Sequence, residues 1–365
     1  MSVGIYVHIP MCIRKCPYCD FYSVKHNEKL AKDFTASVIR EITSCEYSGV
    51  KVDTVYFGGG TPTVLSSKQL VSILDAVKVS FDVCEDAEIT IEANPSSVDA
   101  VKLNELRNNG FNRISFGVQS ANDNELSCLG RLHDFGNAEK AVYDASKAGF
   151  DNISCDLMIG TPKQTSESLS KSIDLLSMLP ITHISAYLLK IEQGTAYDCD
   201  KIKELCADDE LMATLYLEAV NKLSRHGFKQ YEISNFSKGA KRSRHNMKYW
   251  TLDDYLGFGP SAHSFYNGVR FYNVSDIVGY IKGNNIRCVE DLAPNELEEY
   301  TMLSLRLSDG LDFSKYESLG GDKERLMMFA DELLEQGLAE KTGDSIWLTP
   351  RGFLVSNIII NKILQ

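Results

Sequence analysis

A regular succession of strand-like and helix-like segments constrains the fold of this chain more than any other feature of its sequence. Before residue 190, six short runs rich in Ile, Val, Phe and Tyr, with only weak polar alternation, are separated by helical patterns. The runs span residues 4–9, 54–60, 88–95, 113–119, 152–160 and 183–189, and helical patterns cover 28–45, 68–79, 138–148 and 166–179. Repeated β-then-α units predict a parallel sheet that curls into a barrel. We therefore predict an α/β fold built on a partial (β/α)6 barrel.

Polar residues and glycines stand at the end of nearly every predicted strand. In parallel barrels the functional sites lie at the carboxyl ends of the strands. The residues at these ends are a cysteine-rich loop after the first strand, then Gly58, Gly59, Gly60 and Thr61, then Glu92, Gln119, Asp156, and finally Ala186 with Tyr187. We interpret this set as the rim of one site.

Three cysteines, Cys12, Cys16 and Cys19, follow the first predicted strand within eight residues. Three thiolates on one loop can bind three irons of a cubane cluster and leave the fourth iron open to a small chelating ligand. The alternative is a zinc ion with His8 or His26 as fourth ligand. Structural zinc usually takes two short-spaced Cys/His pairs, and no second pair is visible, so we favour the iron–sulfur cluster.

Charge and the remaining cysteines indicate the class of protein. The net charge is −12 and the last hundred residues are rich in acid, which argues against nucleic-acid binding. Seven further cysteines are scattered singly, no secretory signal is visible, and no apolar run reaches membrane-spanning length. These observations predict a cytoplasmic protein without a disulfide scaffold.

The last third of the chain has a different pattern. A long helix is predicted at about 208–225, followed by an aromatic and glycine-rich segment to about residue 286. From Pro294 onward we predict helices and then a hairpin that turns at Gly343-Asp344, which suggests a small winged-helix-like α+β domain. The predicted domains are 1–235, 236–290 and 291–365.

The motifs Cys12-x-x-x-Cys16-x-Tyr18-Cys19 and Gly-Gly-Gly-Thr-Pro-Thr resemble those of the radical S-adenosylmethionine (SAM) superfamily. The resemblance implies that the three cysteines hold a [4Fe–4S] cluster whose open iron chelates SAM. It also implies that the reduced cluster donates the electron that cleaves SAM, with the protein orienting and shielding both groups. The residues that match SAM-binding positions of the family are Tyr6, Tyr18, Gly59, Gly60, Thr61, Glu92, Gln119, Arg131, Asp156 and Ala186.

Within the superfamily the chain resembles the subgroup that contains oxygen-independent coproporphyrinogen III oxidase. The oxidase motif has a fourth cysteine where this chain has Phe21, and the oxidase has an extension before the first strand, which begins here near Gly4. Both departures match the heme chaperones of the superfamily instead. The oxidase reaction, or that of another radical SAM oxidoreductase, remains the alternative.

The segment from His245 to Trp250 reads His-Asn-Met-Lys-Tyr-Trp, a pattern that these heme chaperones share. The resemblance implies heme binding, with His245 as an axial ligand flanked by aromatic faces. From the residues alone, a hydrogen-bonded structural histidine is the alternative. His263 is a lesser candidate, near SAM if the resemblance holds.

The implied partners are heme, recipient hemoproteins and an electron donor that no motif identifies. A basic run, made of Lys238, Lys241, Arg242, Arg244 and Lys248, suits heme propionates or an anionic membrane surface, with a solvated loop as the alternative. A transient membrane contact and a homodimer are further alternatives.

Overall fold

The computed structural model describes residues 2–284 and 286–365, and its largest element is a sheet of twelve strands. The strands are β1 (Val3–Ile9), β2 (Met11–Cys12), β3 (Val24–Lys25), β4 (Lys51–Gly59), β5 (Asp82–Ala93), β6 (Arg113–Gln119), β7 (Asn152–Ile159), β8 (His183–Leu188), β9 (Lys229–Gln230), β10 (Asn235–Ser237), β11 (Tyr255–Phe258), β12 (His263–Tyr266), β13 (Val269–Asn273), β14 (Arg287–Asp291), β15 (Leu311–Asp312), β16 (Ala339–Thr342) and β17 (Ser345–Leu348). The helices are α1 (Glu28–Thr43), α2 (Ser67–Ser80), α3 (Ala100–Asn108), α4 (Asp123–Cys128), α5 (Phe135–Lys147), α6 (Ser166–Ser177), α7 (Asp200–Lys203), α8 (Asp209–Arg225), α9 (Arg244–Thr251), α10 (Ile277–Ile281), α11 (Glu296–Ser304), α12 (Phe313–Ser318), α13 (Lys323–Glu335), α14 (Pro350–Leu354) and α15 (Ser356–Leu364).

The six predicted strand runs form the parallel core of this sheet. The order is β14-β13-β12-β11-β1-β4-β5-β6-β7-β8-β10-β9, and β1 and β4 to β8 run parallel to one another, while β10 is antiparallel to β8. Helices return the chain between these strands, as right-handed βαβ connections require. The predicted partial barrel is confirmed.

Capping side chains explain where several helices begin. Ser66 and Gln69 form a reciprocal capping box at α2, and Asp134 with Asn137 does the same at α5. The sequence pattern placed the start of this last helix at residue 138, three residues late, because Phe135 follows a cap that the apolar periodicity does not record.

The side chains on the two faces of the parallel strands differ in polarity more than the composition of the strands suggested. In β6, Ile114, Phe116 and Val118 are fully buried among apolar side chains. On the opposite face, the Ser115 hydroxyl donates to Asp156 of β7 (3.3 Å), and the fully buried Arg113 lies on the same side of the strand. The expectation of weak alternation was therefore wrong: apolar residues face the helices, and polar residues line the interior of the barrel.

The sheet continues beyond the six predicted strands into the aromatic, glycine-rich segment. β11 adds to the free edge of β1 in parallel, with Tyr6 beside Gly257, and β12 to β14 follow as an antiparallel meander. Gly257 fits there because a Cβ would come within 2.2 Å of the His263 carbonyl oxygen. The division into 1–235, 236–290 and 291–365 stays a prediction, and the large sheet extends across the first of these boundaries.

The carboxyl-terminal part has the helix and strand order of a winged-helix domain. α11 is followed by β15, then by α12 and α13, and then by β16 and β17, and the three strands form an antiparallel sheet in the order β15-β17-β16. The hairpin of β16 and β17 pairs Thr342 with Ser345, so it turns at Gly343-Asp344 as predicted. No helix among the described residues is long and apolar enough to cross a membrane.

Candidate cofactor site at the mouth of the barrel

The cysteine loop leaves β1 at the carboxyl end of the barrel. A backbone bond from the Cys19 N–H to the Cys16 carbonyl (3.1 Å) makes a tight turn. Burial, and then the nearby Cys16 and Cys12 thiols, raise the pKa of Cys19, so the three thiols lie near one another. Among the described residues, no three His, Cys, Asp or Glu side chains converge as one metal ion would require. A cubane makes no such demand, since each thiolate binds its own iron.

Two donors outside the loop point at these sulfurs. Thr61 Oγ1 donates to Cys12 Sγ (3.5 Å), and Arg131 Nη1 donates to Cys16 Sγ (3.4 Å). Hydrogen bonds to thiolate sulfur stabilise the negative charge that cluster ligands carry. The turn after β4 and the loop before α5 are thus held against the cysteine loop.

The glycines of the Gly-Gly-Gly-Thr turn are required by neighbouring protein groups. A Cβ on Gly59, which has a φ of +106°, would lie 2.6 Å from the His8 ring. A Cβ on Gly60 would lie 2.6 Å from the Met11 carbonyl oxygen. Gly60 and Thr61 also donate their backbone N–H groups to Ile9 and Met11. The turn therefore packs directly on β1 and the start of the cysteine loop.

Glu92 lies inside the barrel next to this turn. Its carboxylate accepts from the Tyr56 hydroxyl (2.7 Å) and from the Gly59 N–H (3.3 Å). Burial raises the pKa of Glu92 to about 7, against the lowering effect of the Tyr56 hydrogen bond. Tyr6, the neighbour of Tyr56 with ring centroids 6.1 Å apart, lies in the same layer.

Asp156 is the second carboxyl of the interior. Burial raises its pKa to about 6, although the Ser185 and Ser115 hydroxyls bond to it. Near the two carboxyls, Arg113 is fully buried, and its Nε and Nη1 have no hydrogen-bond partner among the described residues. Two carboxyls with raised pKa values, close to a buried arginine, make a polar interior able to bind hydroxyl and amino groups.

Gln119 and Arg131 form the opposite wall of the mouth. Gln119 has a φ of +74°, a left-handed conformation that costs a residue with a Cβ about 1 kcal/mol or more. Arg131 Nη2 also donates to the Gly117 carbonyl, while the buried Nε has no hydrogen-bond partner in the part of the chain that the structure describes. Tyr18 packs near Tyr197, with ring centroids 6.0 Å apart. A strained backbone and an unmatched guanidinium donor are features of a ligand site.

Among the residues matched to SAM-binding positions, Ala186 has a side chain that turns away from the barrel interior. It lies on β8 opposite Leu157 and belongs to the apolar core, with 1% of its surface exposed. Its N–H donates to the Ser234 carbonyl (2.7 Å). The interior face of β8 is instead provided by Ser185 and Tyr187.

His245 lies at the opposite, amino-terminal end of the barrel. The first turn of α9 inserts its imidazole beneath the tyrosine layer, where Nδ1 bonds Thr54 Oγ1 (2.9 Å) and Nε2 bonds the Tyr249 hydroxyl (2.8 Å). The ring stacks on Tyr56 at 5.2 Å, is fully buried, and burial lowers its pKa to about 3. Iron ligation by His245 would require these hydrogen bonds to break, so its heme role stays a prediction.

The basic run does not form a free patch. Lys248 is almost fully buried in an ion pair with Asp53 (2.9 Å), and Arg242 pairs with Asp309 (2.8 Å). Lys241 and Arg244 also face carboxylates, and Lys238 lies over the Phe228 ring at 4.2 Å. These cations hold α9 and the preceding loop on the protein itself.

Sequence reasoning missed several interior residues, and a signal for them existed. Nearly every second residue of the predicted strands is polar, glycine or aromatic, for example Arg113 in β6, Ser154 in β7 and His183 in β8. His183 bonds Ser154 Oγ (2.7 Å) and the Tyr231 hydroxyl (2.8 Å), and Tyr231 in turn accepts from the Ser243 N–H. A period of two, read strand by strand, would have identified this layer.

Over 98% of its length, the chain is 34% identical to the heme chaperone HemW of Bacillus subtilis, of which it covers 98%. The chain belongs to the HemW family of radical SAM proteins. The HemW of Escherichia coli is 32% identical over 99% of this chain and 98% of its own length. Residues 6–176 match the radical SAM superfamily, and residues 293–355 match the HemN C-terminal domain.

A solved structure shows the same fold along nearly the whole chain. The coproporphyrinogen III oxidase HemN of Escherichia coli, described as a radical SAM enzyme, aligns with a TM-score of 0.85 at 22% sequence identity. The alignment covers 99% of this chain and 89% of that protein. The partial barrel and the carboxyl-terminal domain of this family member therefore share the HemN architecture.

Proposed function

We propose that this protein holds a [4Fe–4S] cluster and SAM at the mouth of its barrel, binds heme, and transfers that heme to hemoproteins. The observation that carries the proposal is the gathering of Cys12, Cys16 and Cys19 on one loop, against a glycine turn and an arginine with an unmatched donor. Heme is proposed as the cargo because the relatives that match over the full length are named heme chaperones.

The donor set at the mouth fits the two cofactors. The buried Arg131 Nε has no partner, and a guanidinium suits the carboxylate of SAM. Glu92 and Asp156 suit the hydroxyl groups of its ribose, because each carboxyl retains acceptor oxygens inside the barrel. When bound, the cluster supplies the site where SAM is anchored and, if reduced, an electron. The protein's own contribution is to orient SAM and to exclude water.

Heme transfer rather than porphyrinogen oxidation is supported by Phe21. This residue takes the place of the fourth cysteine of the oxidase motif, and 67% of its surface is exposed beside the cysteine loop. An exposed aromatic at the mouth suits a flat apolar ligand better than it suits water. We propose that the protein acts in the cytoplasm.

The experiment is an anaerobic heme titration of the cluster-loaded protein, followed by visible absorbance, with a parallel assay for coproporphyrinogen III conversion. We expect saturable binding near one heme per chain, transfer to an apo-hemoprotein, and no protoporphyrinogen formed with SAM and reductant. Heme binding that does not saturate would contradict the proposal, and so would porphyrinogen turnover.

A radical SAM oxidoreductase is the second candidate, because the interior keeps the carboxyls Glu92 and Asp156 in a protonatable state. A carrier of heme alone has no need of such groups. Release of 5′-deoxyadenosine that is coupled stoichiometrically to a changed substrate would favour this candidate. Release without a changed substrate would not.

A further inference from the structure

A row of three side chains crosses the meander beside the barrel mouth. His263 on β12 pairs in register with Tyr272 on β13, and Tyr272 pairs with Cys288 on β14. Residues directly opposite one another in antiparallel strands share a face of the sheet. The two rings confirm this here, since they stack with centroids 5.1 Å apart and planes 21° from parallel.

The row lies on the same face of the sheet as the barrel interior. Tyr6 in β1 pairs with Gly257 in β11, two positions after Tyr255. Tyr255 pairs with Phe265, and Phe265 is two positions from His263. Residues two positions apart on a strand point to the same face of the sheet. The face that lines the barrel interior at Tyr6 therefore continues across Gly257 to His263, and we call it the concave face.

His263 is prepared to bind a metal through one nitrogen. Its side chain is 54% exposed, and Nδ1 faces Glu290 Oε2 at 3.5 Å, which is an ion-pair contact and not a hydrogen bond. A carboxylate beside one ring nitrogen favours the tautomer with the proton on that nitrogen, which leaves the lone pair of the other nitrogen free to bind a metal. Nε2 of His263 is therefore the atom that would bind.

The other histidines are less suited to this role. His8, His183 and His245 are buried and use both ring nitrogens, and the buried His133 bonds the Val118 carbonyl. His226 pairs with Asp174 (2.8 Å) on the outer helices, and the half-buried His26 has no carboxylate contact. Among the seven histidines, His263 alone joins exposure, a carboxylate partner and an aromatic neighbour on the concave face.

We propose that heme docks on the His263–Tyr272–Cys288 row, with His263 Nε2 as an axial ligand of the iron. The proposal rests on the heme-carrying function and assigns its site. No three ligating side chains converge among the described residues, as a bare metal ion would need. Heme brings its equatorial ligands with it and needs only one or two from the protein.

The row also adjoins the cofactor mouth. The charge of His263 contributes to the lowered pKa of His8, after burial, which is the main cause, so the two rings lie near each other. His8 in turn lies against Gly59 of the Gly-Gly-Gly-Thr turn, where a Cβ would come within 2.6 Å of its ring. Heme on this row would therefore lie beside the cluster and SAM without entering the barrel.

The test is an anaerobic heme titration of cluster-loaded wild-type protein and four variants: His263→Ala, Glu290→Gln, His245→Ala and the control His226→Ala. His226 is matched to His263, because it is also a partly exposed histidine paired with a carboxylate. We expect His263→Ala to weaken heme binding at least tenfold and to shift the Soret band. Glu290→Gln should weaken it about tenfold, and His226→Ala should change neither.

Thermal unfolding by circular dichroism is recorded for each variant, and Glu290→Gln keeps the test valid if His263→Ala folds poorly. Unchanged affinity and spectrum in both His263→Ala and Glu290→Gln, with binding lost in His245→Ala, would overturn this site while the heme-carrying function stands. The absence of saturable heme binding in the wild-type protein would overturn both.

Discussion

The two ends of the barrel are both polar, but their polar groups are satisfied in different ways. At the amino-terminal floor, His245 and His183 each use both ring nitrogens within the protein, and Lys248 is paired with Asp53. At the mouth, Arg131 keeps an unmatched buried donor and Gln119 holds a strained backbone. Arg113, at the amino-terminal start of β6, also keeps two nitrogens unmatched among the described residues, so unmet hydrogen bonds alone do not separate the two ends. The strained backbone at Gln119, which costs stability, is what the mouth adds. We therefore interpret the floor as structural and propose the mouth as the cofactor site.

The largest effect is expected at the mouth. Cys16→Ala removes one of three cluster ligands, so the reconstituted variant should lose its [4Fe–4S] absorbance and bound iron while circular dichroism stays unchanged. Cys84→Ala, which alters a cysteine outside the loop, is the control and should bind iron like the wild type. A variant that keeps a full cluster would show that Cys16 is not a ligand.

The floor should respond in stability instead. His245→Ala leaves the Thr54 and Tyr249 hydroxyls without their partner and opens a cavity under Tyr56. We expect the free energy of unfolding in urea to fall by about 3 kcal/mol. His26→Ala, in which no such bonds are lost, should change it by less than about 0.5 kcal/mol. If His245→Ala and His26→Ala lost the same free energy of unfolding, the distinction between the floor and the mouth would be wrong.

The pH dependence of stability should come from the interior carboxyls. The pKa of Glu92 is raised to about 7 and that of Asp156 to about 6, so the folded state binds protons that the unfolded chain has lost. Without SAM, the contribution of these two carboxyls to the free energy of unfolding should be greatest at about pH 4 and below, and it should fall by about 5 kcal/mol as the pH rises to about 7. Glu92→Gln should flatten this decline in pH-dependent urea unfolding, and an unchanged slope would contradict the assignment.

The smallest change in the free energy of unfolding is expected at Gln119, and its sign is opposite to that of His245→Ala. Gln119→Gly relieves the left-handed φ and should leave the free energy of unfolding unchanged or raise it by about 1 kcal/mol. SAM affinity, measured by equilibrium dialysis of the cluster-loaded variant, should fall. A clear loss of stability would mean that Gln119 supports the fold rather than the ligand.

The sequence predicted the mouth better than the floor. Cys12, Cys16 and Cys19 are read from spacing on one loop, and the Gly-Gly-Gly-Thr turn from adjacent residues, so no knowledge of packing is needed. The environment of His245 was not accessible in this way, because its partner Thr54 is 191 residues away along the chain. The same holds for Ala186, whose side chain lies on the face of β8 that meets the apolar core.

The sequence by itself determined the order of β-then-α units, the carboxyl-terminal hairpin and the three thiol positions. Each of these depends on periodicity or spacing within a few turns of chain. Only the tertiary structure decided that residues 255–291 extend the sheet, that polar side chains fill the barrel, and that His263 and Cys288 share a row. Strand neighbours and faces are set by which surfaces bury the most apolar area together, and that choice depends on the whole chain at once.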